Sequence, residues 1–219
     1  YEIMPRLVGS EMCIRDRRDG VSAMDAALTF AQMLRAKGVV GKFVECFGDG
    51  VATLSATQRA CIANMTTEYG CTCTLFPVDD RTLEYLLLTG RDKEQVALVE
   101  AYAKAQGMWN DGASRVYSEV LELNLSEVEC SLAGPSRPHD RFARNDARSR
   151  FNAICADRNL DMDKRVAVSF MGTEYELTHG AIAIAAVTSC TTATDPAMML
   201  ACGLVAKHAR ERGLVAKPW

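Results

Sequence analysis

AIAIAAVTSCTTATDP, at residues 181–196, is a short apolar run that ends in a polar turn and continues into a helix opened by proline. The run predicts a buried parallel strand, and Asp195 followed by Pro196 predicts a capped helix start. Ligands of open α/β sheets gather beyond the carboxyl ends of the strands, which makes Cys190 a candidate binding residue. A free cysteine also packs well as a small apolar side chain. From spacing alone, packing is the favoured interpretation of Cys190.

The composition is that of an ordinary globular protein, with 219 residues, 48% of them apolar and 24% charged. No apolar run approaches the roughly 20 residues that cross a bilayer, so we expect no membrane partner. A net charge of -3 disfavours sequence-independent nucleic-acid binding. Nine cysteines without a secretory signal or a regular disulfide spacing predict a reducing, cytoplasmic location. Neither these cysteines nor the three scattered histidines predict a self-contained metal site.

Helix and strand patterns alternate from about residue 20 to residue 130, which predicts a layered α/β domain over residues 19–133. Ser55 and Gln58 form a capping-box pattern that opens a helix containing Asn64, with Glu68 four residues further on. If the helix continues past Asn64, the side chains of Asn64 and Glu68 lie on the same face. Another helix is predicted to be capped by Asp79 or Asp80.

Residues 1–18 lack a helical or strand period, and LVGSEMCIRDR within them resembles a translated sequencing adapter. We expect this segment to be an artefactual or disordered leader that contributes nothing to the fold.

Residues 134–165 predict an Arg/Asp-rich linker with one short helix, because seven arginines are interleaved with five aspartates. Arginines at this spacing suggest RNA or phosphate binding, but the interleaved acids and the lack of stacking aromatics favour a solvated surface. Residues 166–219 then predict two strands around a Met171-Gly172 turn and the truncated start of another α/β domain.

Five motifs, in this order, resemble successive signatures of the aconitase family. They are VVGKFVECFGDG at 39–50, IANMTTEYG at 62–70, FPVDDRTLEYLLLTGR at 76–91, GPSRPHDR at 134–141 and AIAAVTSCTTATDPAMMLACGLVAKHA at 183–209. The similarity is greatest to the branch of bacterial A-type aconitases and cytosolic iron-regulatory proteins. It implies an internal fragment that spans the second domain of the family and the start of the third, cluster-bearing domain.

The resemblance implies a hydro-lyase of the tricarboxylic acid cycle that interconverts citrate and isocitrate through cis-aconitate. In the family a 4Fe-4S cluster is held by three cysteines, and its fourth iron acts as a Lewis acid on the substrate. Cys190 matches the first cluster cysteine. Asn64 and Glu68 match the Asn-Met-x-x-Glu motif, which lines the iron site. A carboxylate there can accept and return a proton, and an amide can orient the inorganic group, whereas outside this motif both residues would be interpreted as helix-end hydrogen-bonding groups.

Two residues depart from the family pattern. Thr192 stands where the family has asparagine after the Cys-Thr pair, and Cys46 replaces an aromatic residue. The other two cluster cysteines of the family match nothing in this chain, so Cys190 is one of three thiolates. Because one thiolate cannot hold a 4Fe-4S cluster, we expect the chain alone to bind no stable cluster and to be inactive.

Two alternatives remain open. One is a related hydro-lyase, such as a 2-methylcitrate dehydratase. The other is an RNA-binding, iron-responsive regulator, because the same branch includes proteins that bind messenger RNA without their cluster. Expected partners are a small tricarboxylate and the remaining domains of the parent chain, with RNA only for the regulator.

Overall fold

The computed structural model describes residues 7–13, 20–112, 116–187 and 194–216. The chain divides into two units, Tyr1–Arg144 and Asn145–Trp219, which are described separately below. Within the described ranges, no helix is both long enough and apolar enough to cross a membrane.

Four parallel strands form the sheet of the first unit. They are β1 (Leu7–Cys13), β2 (Phe43–Phe47), β3 (Cys73–Leu75) and β4 (Glu119–Asn124), and their spatial order is β3-β2-β1-β4. Parallel strands need crossover connections, and the intervening segments are helical. The predicted α/β fold class is therefore confirmed.

Strand β1 corrects the prediction that residues 1–18 are a leader outside the fold. Leu7–Cys13 lies between β2 and β4, where Val8 pairs with Val44 on one side and with Glu119 on the other. Val8 and Ser10 are fully buried. The segment lacks a strand pattern because a central parallel strand is covered on both faces and its residues need not alternate. Residues 1–6 and 14–19 lie outside the described ranges.

Five α-helices accompany the sheet in the described part of this unit, and side-chain caps explain where four of them begin. They are α1 (Ala23–Lys37), α2 (Ala56–Asn64), α3 (Thr66–Tyr69), α4 (Asp80–Leu88) and α5 (Lys93–Ala105). Ser22 and Asp25 form a reciprocal capping box on α1, and Ser55 and Gln58 form the predicted one on α2. Helix α1 buries Phe30 and Leu34 in the core cluster that also includes residues of β1, β2 and β4.

The first unit ends in a hairpin that corrects the predicted linker over residues 134–165. Strands β5 (Ser131–Ala133) and β6 (Arg141–Ala143) pair in an antiparallel manner. The Arg141 guanidinium donates to Ser131 Oγ at 2.8 Å and to Gln32 Oε1 at 3.3 Å, while Gln32 donates to the Arg141 carbonyl at 3.0 Å. These bonds tie the hairpin to α1, so the boundary between units follows Arg144.

The second unit contains α6 (Ala147–Asp157), an antiparallel hairpin of β7 (Val166–Phe170) and β8 (Thr173–Leu177), and α7 (Pro196–Glu211). The hairpin turns at Met171 and Gly172, which have φ angles of 49° and 77° and confirm the predicted turn. Helix α7 begins as predicted, with the Asp195 side chain accepting from the Ala197 N–H at 3.1 Å and Pro196 in its first turn.

The predicted strand over residues 181–187 is wrong. This segment has no regular secondary structure, and Ile182, Ile184 and Val187 are 68%, 85% and 59% exposed. A strand requires a hydrogen-bonded neighbour, and strand pairing among the described residues of this unit is confined to the β7-β8 hairpin. Residues 188–193, which include Cys190 and Thr192, lie outside the described ranges.

Candidate active site

Asn64 and Glu68 lie on either side of a break between two helices. Helix α2 ends at Asn64, Met65 adopts φ -82° and ψ 8°, and α3 carries Glu68. The Glu68 N–H donates to the Met65 carbonyl at 2.8 Å, which tightens the chain between the helices. One continuous helix, the condition for a shared face, is therefore not formed. Asn64 is exposed and Glu68 is partly exposed, so both can contribute to a site at the surface of this unit.

Tyr69 anchors the turn that carries Glu68. Its side chain is fully buried, and its ring meets the Phe30 ring edge-on with centroids 5.6 Å apart. Burial raises the pKa of Tyr69 to about 12, against the hydrogen bonds from Thr66 and Thr74 that lower it. The phenol therefore stays protonated at neutral pH and remains a hydrogen-bond donor.

Thr66, Tyr69 and Thr74 form a cluster of three hydroxyl groups, here called the hydroxyl cluster. Thr74 Oγ1 of β3 lies 2.5 Å from the Tyr69 hydroxyl and 2.9 Å from Thr66 Oγ1. Thr66 Oγ1 also donates to the Ala63 carbonyl at 2.5 Å, and Cys71 Sγ lies 3.4 Å from Thr74 Oγ1. The cluster therefore joins the end of α2, helix α3 and strand β3.

A buried ion pair also anchors α2, through Arg59. Arg59 and Asp79 make two hydrogen bonds, Nη1 to Oδ1 at 2.8 Å and Nη2 to Oδ2 at 2.6 Å, and their side chains are 4% and 11% exposed. Arg59 also donates to the carbonyls of Val51 and Pro77. Asp79 caps α4, as one of the two predicted candidates, by accepting from the N–H groups of Arg81 and Thr82.

A cavity of about 440 Å³ opens where β2 ends, the edge at which ligands bind in many parallel sheets. Its lining includes Cys46, one of the two departures from the family pattern. Burial, with Cys71 and Glu45 nearby, raises the pKa of the Cys46 thiol well above its usual range. The thiol is therefore protonated and behaves as a small apolar group of the core.

The described part of the chain does not contain a complete iron–sulfur site. No group of three or more His, Cys, Asp or Glu residues in the described ranges is arranged to hold a metal ion. Among the cysteines whose side chains are described, seven are free thiols: Cys46, Cys61, Cys71, Cys73, Cys130, Cys155 and Cys202. The described residues contribute the accessible carboxylate of Glu68, while Cys190, the predicted cluster ligand, lies outside the described ranges.

Neither the hydroxyl cluster nor the Arg59–Asp79 pair is predicted by the sequence motifs. Thr74 lies on a strand and Thr66 on a helix, and no local spacing rule connects them. Of these residues, the sequence indicates only Asp79, as a candidate helix cap. Its second role, in the ion pair with Arg59 of α2, is seen only in the structure.

The family model and the relatives that match this chain all point to one family. A model of the aconitase family (aconitate hydratase) matches residues 15–219. The chain is 46% identical over 219 residues to aconitate hydratase A of Legionella pneumophila, and 47% identical over 221 residues to that of Escherichia coli. It is 48% identical over 231 residues to the protein of the same name from Thermus thermophilus. These alignments cover 99–100% of this chain and 24–26% of the relatives, so the chain spans about a quarter of their length.

Proposed function

The chain belongs to the aconitase family, and we propose that the protein carrying it is an aconitate hydratase that interconverts citrate and isocitrate through cis-aconitate. The observation that carries this proposal is the 46–48% identity to three aconitate hydratases A along nearly the whole chain. The reaction removes and adds water across a carbon–carbon bond, which makes the enzyme a hydro-lyase.

Glu68 and Asn64 are the residues of this chain that we assign to the reaction. The Glu68 carboxylate would accept a proton as water is bound or activated and return it in the reverse direction. The Asn64 amide both donates and accepts hydrogen bonds, so it would orient neighbouring polar groups. Cys190 would supply one thiolate to a 4Fe-4S cluster. When bound, the cluster supplies a Lewis-acidic iron that polarises the C–OH bond.

We propose that the 219-residue chain by itself holds no stable cluster, since it offers one of the three thiolates required. Anaerobic reconstitution followed by iron and sulfide analysis tests this directly. A stoichiometric cluster with its visible absorbance would contradict the assignment.

The active-site assignment is tested in a chimera in which this chain replaces the matching segment of the Escherichia coli aconitate hydratase A. We expect Glu68→Gln to lower kcat by about 10²–10⁴-fold, the usual contribution of a general acid–base group. Cys190→Ala should abolish cluster loading as well as activity. The matched control is Glu94→Gln, in the exposed first turn of α5, which should leave both unchanged. An unchanged kcat in Glu68→Gln would contradict the role of Glu68.

Substrate and partner choice are tested on the full-length protein that carries this chain, because about three quarters of the chimera come from Escherichia coli. We propose citrate as the substrate, and a higher kcat/KM on 2-methylcitrate would favour the related dehydratase. The RNA-binding alternative has little structural support, because the Arg141 guanidinium is already bonded to Ser131 and Gln32. Salt-dependent RNA binding by the cluster-free full-length protein would revive it. Nine cysteines without a regular disulfide spacing support a reducing, cytoplasmic location.

A further inference from the structure

Helix α3 is too short to hold its own shape. It has four residues, Thr66–Tyr69, and an isolated helix of that length is unstable in water because nucleation costs more than its few hydrogen bonds return. Its first residue follows the break at Met65, and Gly70 ends it in the left-handed region with φ 83°. Glu68 therefore sits on a turn whose conformation depends on contacts outside the turn.

Those contacts come from the residues on both sides of Glu68. Thr66 precedes it by two positions and Tyr69 follows it directly, and both hydroxyls converge on Thr74 Oγ1 at 2.9 Å and 2.5 Å. Tyr69 is fully buried and Thr74 is 7% exposed, so little water competes for these hydrogen bonds. The hydroxyl cluster thus fastens α3 to β3 while Glu68 remains partly exposed.

We infer that Thr74 and Tyr69 are positioning residues, which hold the carboxylate of Glu68 in place through the hydroxyl cluster. The inference rests on the proposed function, because Glu68 is the group that is positioned. A displacement of about 1 Å of a reacting group can reduce a rate by about 10²-fold, so loosening α3 should affect turnover more than substrate binding.

The test compares four variants of the chimera. Thr74→Val removes one hydroxyl and keeps a β-branched strand residue, and Thr74→Ser keeps the hydroxyl. Tyr69→Phe removes the phenol oxygen and keeps the ring. The control for general destabilisation is Val128→Ala, which truncates a buried residue between β4 and β5.

Two readouts separate positioning from stability. The first is hydrogen exchange of the peptide covering residues 64–71, which contains the Glu68 N–H to Met65 and Gly70 N–H to Thr66 hydrogen bonds. We expect faster exchange in Thr74→Val and Tyr69→Phe, in both cluster-free and cluster-loaded protein, but not in Thr74→Ser or Val128→Ala. The second is steady-state kinetics, where the first two variants should lose about 10–100-fold in kcat with little change in KM.

The outcomes distinguish this inference from the proposed function. Unchanged exchange and kcat in Thr74→Val and Tyr69→Phe would overturn the positioning role, as would equal losses in Val128→Ala. An unchanged kcat in Glu68→Gln would instead overturn the proposed role of Glu68, whatever the exchange data show. Recovery of both readouts in Thr74→Ser would support the inference.

Discussion

Replacing Asp79 with asparagine should reveal how strongly the buried ion pair holds the first unit together. Asparagine has nearly the volume of aspartate and caps helices about as well, so α4 keeps its N-cap. What is lost is the negative charge opposite the Arg59 guanidinium, whose side chain is 4% exposed. Removing one partner of a buried pair typically costs about 3–5 kcal/mol, since the remaining charge is left without compensation. The asparagine oxygen still accepts one hydrogen bond, so we expect about 3 kcal/mol.

Asp79→Ala extends the same test. It removes the acceptor for the Arg81 and Thr82 N–H groups as well as the charge, and the loss of a cap costs about 1 kcal/mol more. The double variant Arg59→Met/Asp79→Asn removes both charges. Its destabilisation should be smaller than the sum of the two single changes by about 2–3 kcal/mol, because neither charge is then left unpaired.

Urea unfolding of the chain, followed by Trp109 fluorescence in a Trp219→Phe background, measures these differences. Trp109 and Asp79 line the same small cavity, so the indole reports on the unit that contains the pair. The slope of free energy against urea should stay constant among variants, which shows that the same surface unfolds. A loss of less than about 1 kcal/mol in Asp79→Asn, or additive costs in the double variant, would refute the reasoning.

Three other changes test the packing of the sheet and the hydroxyl cluster. Gly9→Ala should lower the unfolding free energy by about 1–3 kcal/mol, since the added Cβ would lie 2.7 Å from the Tyr117 ring; a urea titration without loss would contradict this. Ser10→Ala should leave the thermal midpoint unchanged or raise it, since Ser10 Oγ is buried with no hydrogen-bond partner among the described residues; a clear drop would contradict this. Because the pKa of Tyr69 is about 12 in the fold against an ordinary 10.0, its contribution to the stability of the fold is complete below about pH 10. Up to about 3 kcal/mol of unfolding free energy should be lost as the pH rises to about 12. Urea titrations at both ends of this pH range measure the loss, and a Tyr69→Phe variant should not show it.

Helix starts were predictable from the sequence because their causes are local. Ser55 with Gln58, Asp79 and Asp195 each cap the helix that follows, and each side chain bonds to a backbone N–H two or three residues away. Such a cap depends only on residues within four positions of one another, so a local sequence pattern is enough to predict it. The Met171-Gly172 turn is of the same kind, since its conformation depends mainly on its own two residues.

Strands were less predictable because they depend on partners far along the chain. LVGSEMC lacks an alternating pattern and yet forms a strand with a neighbour on each side, whereas the apolar residues 181–187 form no strand. In both cases the deciding factor is whether hydrogen-bonding neighbours are present, which composition does not encode.

The residues of the candidate site also differ in whether the sequence predicts them. Asn64 and Glu68 are identified through a motif, whose letters lie side by side in the sequence. The residues that hold Glu68 in place are identified only in the fold, since Thr74 reaches Thr66 and Tyr69 across the turn between α3 and β3. Cys190 remains a prediction from the motif alone.

The central position of β1 has a consequence for synthesis on the ribosome. Val8 pairs with Val44, made soon after it, but its other partner, Glu119, is made 111 positions later. At about 5–20 residues per second, roughly 6–22 s separate the two residues. During that interval the edge of β1 that β4 covers in the folded unit lacks this partner, and such unpaired edges are where nascent chains associate wrongly. The hairpin of β5 and β6, which is bonded to α1 through Gln32, is synthesised only after β4.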